Sequence, residues 1–277
     1  MPDEERLSGG NWNAPVRRGA AVHRESGPWS ASVHALLRHV RGRGIDWLPE
    51  PLGFDEQGRE VLSFLPGDVP QYPMPDRVWS EAVLLDAGRR LRDYHDACGG
   101  FPMEGRIWQQ PAHEPVEVVC HNDFAPYNFV FRGDVLVGVI DVDQASPGPR
   151  LWDLAYLGYR LIPLADPSNP DLPVFDRATL LERLDLLCGA YGDGADSDSV
   201  LHILPARLRE LADSTASRAG ARPELGAHAD LYRRDAAWVE RELLDAKRQL
   251  KDRPSVRTGR SPGSGGPDRE RAADRWW

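Results

Sequence analysis

The sequence predicts an α+β protein with two lobes, a small β-rich lobe with one helix followed by a larger helical lobe. Three observations lead to this fold class. Glycine-containing turns separate short strand candidates on both sides of a helix predicted at residues 32–40. After Pro66-Gly67, apolar residues recur at helical spacing. Two apolar runs then flank Gly133-Asp134, which is typical of a β-hairpin.

Changes in composition predict the boundaries of these parts. The first lobe spans residues 1–66 and the helical lobe spans residues 67–250. Residues 251–277 are rich in glycine, proline, serine and arginine, which predicts a disordered tail. Its last residues, Trp276 and Trp277, are expected to form a frayed end, with anchoring to a partner as the alternative.

Apolar stripes predict helices in the second lobe. Such a stripe covers one face of a helix and normally packs on the core, so we assign no chemistry to it. Gly99-Gly100 is expected to end the first of these helices. The stripes are Val83, Leu84, Ala87, Leu91 and Tyr94; Leu151, Leu154, Ala155, Gly158 and Leu161; and Tyr232, Ala236, Val239, Leu243, Ala246 and Leu250.

Composition excludes several classes of protein. The net charge of −9 argues against nucleic-acid binding, because phosphate backbones require clustered positive charge. The acidity is consistent with a cationic small-molecule substrate and equally with a surface charged for solubility. No signal pattern is found and no apolar run approaches the roughly 18 residues of a membrane span. The three cysteines form no C-x-x-C pair, so we predict no zinc site, no disulfide framework and a cytoplasmic location.

The central segment CHNDFAPYNF, residues 120–129, contains the spacing H-x-D-x-x-x-x-N. This spacing is typical of the catalytic loop of kinases. A two-residue hairpin turn after it would place Asn128 opposite Val139. Asp141 and Asp143 would then share the face of Asn128, because strand residues two apart point to the same side.

The oxygen atoms of Asn128 and Asp141 form a candidate Mg²⁺ site, because Mg²⁺ prefers carboxylate, amide and phosphate oxygens. A one-residue slip in register would separate them, and a polar hairpin end facing solvent is the alternative. Asp123 is the candidate catalytic base, which can accept the proton of a substrate hydroxyl that attacks a γ-phosphate. His121 follows apolar residues, so we interpret it as a packed imidazole bonded to the loop backbone rather than as a second base.

Residues 118–157 resemble the signature of the aminoglycoside phosphotransferase and choline kinase family, the small-molecule relatives of protein kinases. The matching residues are His121, Asp123, Asn128, Ile140-Asp141 and Asp153-Leu154-Ala155. The resemblance extends over about residues 7–250. GPWSASVHALLRHV and PGPRLWDLAYLGYR are similar to a bacterial phosphotransferase subgroup often labelled trifolitoxin immunity, a label that hints at resistance.

The resemblance implies a protein-kinase-like fold, ATP and Mg²⁺ as cofactors, and a small-molecule acceptor. It also implies that the first lobe covers the nucleotide. Gly9 and Gly10 would lie in the hairpin over the phosphates. The backbone of Ser63, Phe64 and Leu65 would lie beside the adenine.

The phosphate-binding lysine of that family is replaced here. The chain has two lysines, Lys247 and Lys251, both far toward the C-terminus. The family's V-x-K on the third strand is V-H-R and ends at Arg24, which is always charged and can hold two phosphate oxygens. His34 stands where the family has the glutamate partner, so either another carboxylate orients Arg24 or nucleotide binding is weak or altered. An exposed strand arginine without this function is the alternative.

Further acidic residues are interpreted as structural. Asp153 precedes an apolar stripe and is expected to cap a helix or favour its positive end. Asp166 and Asp171 lie among prolines and are expected to be loop residues, with attraction of an amine-rich substrate as the alternative.

The leading hypothesis is a kinase that transfers the γ-phosphate of ATP to a hydroxyl of a small molecule. A nucleotide-binding regulator or immunity protein without turnover is the alternative, motivated by the altered lysine and glutamate positions. A metal-dependent phosphohydrolase is a third hypothesis, although the sequence offers neither a second metal cluster nor a covalent nucleophile. The identity of the acceptor, the choice between ATP and GTP, and the oligomeric state stay open.

Overall fold

The computed structural model describes residues 4–7, 15–170, 172–218, 220 and 224–251. The first elements are β1 (Glu4–Arg6), β2 (Val16–Arg18), β3 (Ala21–Arg24), α1 (Ser30–Arg41), β4 (Pro51–Phe54) and β5 (Glu60–Ser63). The strands form one antiparallel sheet in the order β1-β2-β3-β5-β4. The predicted small sheet with one helix is confirmed.

Helix α1 packs its apolar side next to β4. Its buried apolar side chains are Val33, Leu36, Leu37 and Val40. They recur three or four residues apart, which places them on one face of the helix. His34 belongs to the same buried side and stacks on Phe54 of β4, with 4.8 Å between the ring centroids. The helix therefore brings a polar ring under the sheet.

The helices of the second part are α2 (Glu81–Ala97), α3 (Arg150–Leu161), α4 (Arg177–Tyr191), α5 (Ser197–Ser217), α6 (Glu224–Trp238) and α7 (Leu244–Lys251). The first two coincide with predicted stripes. Ser80 begins α2 by accepting a hydrogen bond from Val83 N at 3.3 Å, and the predicted apolar stripe of α2 is buried. In the described part of the chain, no helix is both long and apolar enough to cross a bilayer.

Helices α4 and α5 have no counterpart among the predicted stripes. Their starts nevertheless carry a local signal, because Asp176 accepts a hydrogen bond from Thr179 N and Asp196 accepts one from Ser199 N, each at 3.0 Å. Pro205 lies inside α5 and is a residue that normally argues against a helix. The capping residues were the better indicator in this region.

The third predicted stripe, from Tyr232 to Leu250, is not one continuous α-helix. A π-helical turn, Val239–Leu243, separates α6 from α7 and changes the spacing of the apolar residues. Lys251, which the sequence assigned to the disordered tail, is the last residue of α7. Residues 252–277 lie outside the described residues.

The centre of the chain forms two strand pairs. They are β6 (Val118–Cys120) with β9 (Ser146–Gly148), and β7 (Phe129–Arg132) with β8 (Val135–Val139). Arg132 lies opposite Val135, which confirms the two-residue turn. The predicted pairing of Asn128 with Val139 is wrong. A β-bulge adds one residue to β8, so Phe129 lies opposite Val139.

Glycines allow the segment after β5 to approach this hairpin closely. Gly67 has φ +155°, and a Cβ there would lie 2.4 Å from the carbonyl oxygen of Phe131. Asp68 and Phe131 exchange two backbone hydrogen bonds of 2.8 Å. A Cβ on Gly138 would lie 2.8 Å from Leu65 Cδ1. These contacts hold the segment after β5 against the β7–β8 hairpin.

Candidate active site

Arg24 ends β3 and is surrounded by three carboxylates. Its Nε lies 2.6 Å from Glu60 Oε1, and its Nη1 donates to Asp141 Oδ1 at 3.0 Å. Its Nη2 donates to Asp143. Burial alone would lower the pKa of Arg24, but the charges of the carboxylates raise it. The side chain is only 13% exposed, so the alternative of an exposed strand arginine is wrong.

Glu60 is the carboxylate that orients Arg24. The two residues are directly opposed in the β3–β5 pair, so their side chains share one face of the sheet. Glu60 is fully buried, and its Oε2 lies 3.0 Å from His34 Nε2. Another carboxylate therefore contacts Arg24, as the first of the two sequence-based alternatives expects. The available signal was an acidic residue at the start of an otherwise apolar strand.

Asp123 lies in the loop between β6 and a 3₁₀ turn, Pro126–Asn128. Its Oδ1 accepts a hydrogen bond from Tyr127 Oη at 2.5 Å, and its Oδ2 accepts one from Asn128 Nδ2 at 2.9 Å. Burial raises the pKa of Asp123, the Tyr127 hydrogen bond opposes this, and the charge of Asp141 raises it further. A carboxylate with a raised pKa is a stronger proton acceptor.

Side chains from helices hold the backbone of this loop. Asp153 accepts hydrogen bonds from His121 N at 2.6 Å and Asn122 N at 2.7 Å, and its Oδ2 lies 3.1 Å from His95 Nε2. Arg207 of α5 donates to the carbonyl oxygen of Asn122 at 2.8 Å. Asp153 lies in the first turn of α3, as predicted, but it does not cap that helix, because the N-cap residue is Pro149. Its carboxylate binds the loop instead.

His121 is a packed imidazole, which confirms the prediction. It is fully buried, and its Nδ1 accepts a hydrogen bond from Asp123 N at 3.3 Å. Burial lowers the pKa of His121, which favours the neutral ring. A neutral Nδ1 can accept the loop N–H, so this residue shapes the loop around Asp123.

Asn128 and Asp141 flank the open end of the hairpin, although neither lies in a strand. Asn128 Nδ2 donates to Asp123 O and Oδ2, each at 2.9 Å, which leaves Oδ1 as the remaining polar atom of the amide. The carbonyl oxygen of Asn128 accepts from Ile140 N at 2.9 Å, directly before Asp141. Asp141 has φ 64°, so the expectation that it lies in strand register was wrong.

The donor chemistry around Asp141 suits a hard divalent cation. Arg24 faces Glu60, Asp141 and Asp143, so carboxylates outnumber the guanidinium in this cluster. Burial and the nearby Asp141 and Glu60, opposed by Arg24, raise the pKa of Asp143 to about 7. Among the described residues, no three His, Cys, Asp or Glu side chains are grouped as a metal site. A Mg²⁺ ion here would therefore take some ligands from phosphate and water, as Mg²⁺ commonly does.

The segment predicted to meet the adenine offers fewer donors than expected. Ser63 N donates to Glu50 O at 2.9 Å, and Phe64 N donates to Ala20 O at 2.8 Å. Both N–H groups are thus engaged within the first part of the chain and cannot bind a base. Leu65 and the carbonyl groups of this segment are the remaining candidates.

Four predicted residues remain, and the structure describes one of them, Asp166. Gly9, Gly10 and Asp171 fall outside the described residues. Asp166 accepts hydrogen bonds from Ser168 N and Oγ, and the Ser168 hydroxyl lowers its pKa. Asp166 therefore has the loop role that the neighbouring prolines predicted.

Sequence reasoning missed a polar network on the other side of Asp123. Tyr127 Oη lies 2.8 Å from Tyr156 Oη, which in turn accepts a hydrogen bond from Arg160 Nε at 3.2 Å. Tyr156 and Arg160 are four residues apart on α3 and so lie on one side of the helix. A tyrosine and an arginine at this spacing within an apolar stripe were the available signal.

Comparison with known sequences places the central segment in context. A sequence model of the phosphotransferase enzyme family matches residues 101–187, which include Asp123, Asn128 and Asp141. The trifolitoxin immunity protein of Rhizobium leguminosarum bv. trifolii is 41% identical over 154 residues, covering 53% of this chain and 58% of that protein. The match thus spans little more than half the length of this curated relative.

Solved structures resemble the whole fold. A choline/ethanolamine kinase family protein from Mesorhizobium loti has a TM-score of 0.65 and 18% identity, covering 90% of this chain and 91% of its own. The streptomycin-ATP-APH(2")-IIa ternary complex has a TM-score of 0.53 and 13% identity, covering 84% and 93%. The chain therefore has the two-lobed, protein-kinase-like α+β fold predicted from its sequence.

Proposed function

We propose that the protein is a small-molecule kinase that transfers the γ-phosphate of ATP to a hydroxyl group of its acceptor. The observation that carries this proposal is the environment of Asp123. This partly buried carboxylate accepts hydrogen bonds from Tyr127 and Asn128, and the nearby charge of Asp141 contributes to raising its pKa. The match of residues 101–187 to the phosphotransferase enzyme family supports it. The net charge of −9 is compatible with a cationic acceptor.

In this mechanism Asp123 accepts the hydroxyl proton while the acceptor oxygen attacks the γ-phosphorus. A new oxygen–phosphorus bond forms and the bond to the β,γ-bridging oxygen breaks. ADP leaves, and the proton stays on the Asp123 carboxylate until it reaches solvent. Asp153 and Arg207 would keep the loop in position, because they hold its backbone at His121 and Asn122.

The other predicted residues have roles on the nucleotide side. Asn128 and Asp141 would hold Mg²⁺, which offsets negative charge on the phosphates when bound. Arg24 would contact the phosphates, since its guanidinium already lies against Asp141. Leu65 would face the adenine, and Gly9 and Gly10 are proposed to cover the phosphates.

The test combines an acceptor panel with a base variant. The protein is incubated with ATP, Mg²⁺ and aminoglycosides, macrolides or amino alcohols, and both ADP and the phosphorylated product are measured. Asp123→Asn should lower kcat by about 10²–10⁴-fold, the usual contribution of a general base, while Mg·ATP binding persists. Glu104→Gln, on the exposed surface, is the matched control with unchanged turnover. An active protein that is indifferent to Asp123→Asn would refute the role of this residue.

A nucleotide-binding immunity or regulatory protein without turnover is the second candidate. It is favoured by the replacement of lysine with Arg24, which Glu60 neutralises, and by the name of the trifolitoxin immunity protein. Calorimetry with Mg·ATP separates the two candidates. Nucleotide binding without phosphate transfer across the panel favours the second candidate, whereas absence of nucleotide binding contradicts both. Phosphate release without an acceptor would instead indicate hydrolysis.

A further inference from the structure

Arg160 of α3 is a buried cation inside a cage of tyrosines. The side chain belongs to a residue that is only 8% exposed. The guanidinium carbon lies between 5.0 and 5.7 Å from the centroids of the rings around it, which are those of Tyr127, Tyr156, Tyr159 and Tyr232. Such ring faces attract a cation but carry no net charge. The cage therefore stabilises Arg160 without neutralising it.

Among the described residues, the hydrogen bonds of Arg160 are with neutral hydroxyls. Its Nε donates to Tyr156 Oη at 3.2 Å and its Nη2 donates to Tyr232 Oη at 3.3 Å. Across the described residues, no carboxylate lies within 4.0 Å of its nitrogens, the distance of an ion pair. A buried charge normally has a charged partner, because loss of hydration is costly. Among the described residues, the cage therefore supplies Arg160 with no negative charge in contact.

The nearby buried carboxylate, Asp235, is already engaged. It accepts hydrogen bonds from Tyr159 Oη and Asn169 Nδ2, each at 2.8 Å, and from Asp166 N at 3.1 Å. These hydrogen bonds engage both of its carboxylate oxygens. Asp235 is therefore not an ion-pair partner of the Arg160 guanidinium.

The cage adjoins the proposed base and a partly exposed tyrosine. Consecutive hydrogen bonds lead from Arg160 through Tyr156 and Tyr127 to Asp123. The ring of Tyr72, 38% exposed, lies 6.3 Å from that of Tyr127. The tyrosines around Arg160 thus connect the buried Tyr156 with the partly exposed Tyr72, next to Asp123.

We infer that Arg160 binds an oxyanion of the acceptor, a carboxylate or a phosphate ester, while Asp123 faces the reacting hydroxyl. This inference rests on the proposed kinase function and narrows its acceptor class. A guanidinium can hold two oxygens of such a group. An acceptor that is also an amine, as the acidic net charge allows, would then be a zwitterion.

Matched acceptors test the inference directly. L-Serine and ethanolamine differ by a carboxylate, and glycerol 3-phosphate and glycerol differ by a phosphate. With ATP and Mg²⁺, we expect the member of at least one pair that carries the carboxylate or phosphate to have a kcat/KM about 10- to 100-fold higher, the effect of one charge-assisted interaction. The pair with the larger ratio identifies carboxylate or phosphate as the group bound. Equal or better turnover of the uncharged or cationic members would overturn the inference and leave the kinase function intact.

Variants on α3 separate acceptor binding from a positioning role. Arg160→Met should remove the preference by raising KM for the anionic acceptor alone, and Arg160→Lys should restore part of it. Arg150→Met is the control, because Arg150 lies on the same helix and pairs with Asp96 outside the cage. Thermal unfolding verifies that each variant is folded. A fall in kcat for all acceptors alike would show that Arg160 only positions Tyr127 and Asp123, which would overturn the inference.

Binding measurements cover the case in which none of these acceptors is turned over. Calorimetry follows L-serine and glycerol 3-phosphate in the presence of Mg²⁺ and a non-hydrolysable ATP analogue. Binding that Arg160→Met abolishes supports the oxyanion site, and absence of binding to both probes contradicts it. Failure to bind the ATP analogue marks a different result, the failure of the proposed function itself.

Discussion

Replacement of Glu60 by glutamine removes the charge between Arg24 and His34 while keeping the size of the side chain. Glu60 is completely buried and Arg24 is 13% exposed, so water screens their attraction only weakly. The contacts at 2.6 Å to Arg24 and 3.0 Å to His34 are each worth about 1.5–3 kcal/mol. Part of this loss is offset, because Glu60 also repels Asp143 and raises its pKa. We expect the free energy of unfolding to fall by about 2–4 kcal/mol.

Urea unfolding at pH 7 measures this loss, and calorimetry measures the accompanying change in Mg·ATP affinity. A double-mutant cycle with Arg24→Met should give a coupling energy above about 1 kcal/mol, because the two side chains are in direct contact. Glu56→Gln is the matched control: Glu56 is exposed in the turn between β4 and β5, and its replacement should change stability by less than about 0.5 kcal/mol. A coupling energy near zero would refute the assignment of Glu60 as the partner that orients Arg24.

Two further predictions concern the loop that contains Asp123 and the contact between Gly67 and the β7–β8 hairpin. Asp153→Asn should lower the free energy of unfolding, measured with urea, by about 2–4 kcal/mol. The reason is that it removes the negative charge of a carboxylate that accepts hydrogen bonds from two N–H groups of the loop. Burial raises the pKa of Asp153, but His95 and the loop lower it to below its ordinary value, so the contribution of Asp153 to stability is lost as pH falls through the folded pKa. Below about pH 4 the variant should therefore lose less stability than the wild type. Equal acid sensitivity of the two proteins would contradict this. Gly67→Ala should lower the free energy of unfolding by more than about 3 kcal/mol, because the new Cβ would clash with the carbonyl oxygen of Phe131. Gly19→Ala is the control and should lower it by about 1 kcal/mol, because Gly19 has φ +61° but no atom within 4 Å of the added Cβ. Similar losses in thermal unfolding for both glycine variants would contradict the proposed clash.

Features encoded over a few neighbouring residues could be predicted from the sequence. The H-x-D-x-x-x-x-N spacing places Asp123 and Asn128 in one tight loop, where they are hydrogen-bonded to each other. The helical stripe of α2 is buried as predicted, because periodicity alone determines which face of a helix is apolar. The packed role of His121 followed from its apolar neighbours, and the replacement of the family lysine by Arg24 was visible in the strand that contains it.

Features that depend on distant pairs could not be predicted in the same way. Glu60 meets Arg24 because β3 and β5 are adjacent in the sheet, although β4 lies between them in the sequence. The bulge in β8 shifts the hairpin register, and nothing in the apolar run specifies where the extra residue lies. The cage around Arg160 combines α3 with α6 and the loop before β7, so its members are separated by up to about a hundred residues.

The charges on the two sides of Asp123 have opposite signs. On one side, Arg24 is outnumbered by Glu60, Asp141 and Asp143, and a divalent cation would balance that excess. On the other side, Arg160 contributes a positive charge whose hydrogen-bond partners, within the described part of the chain, are tyrosine hydroxyls. An acceptor with positive charge alone would leave this guanidinium unpaired and add repulsion to it. Within the proposed kinase function, this distribution favours acceptors whose oxyanion binds the cage while their hydroxyl meets Asp123.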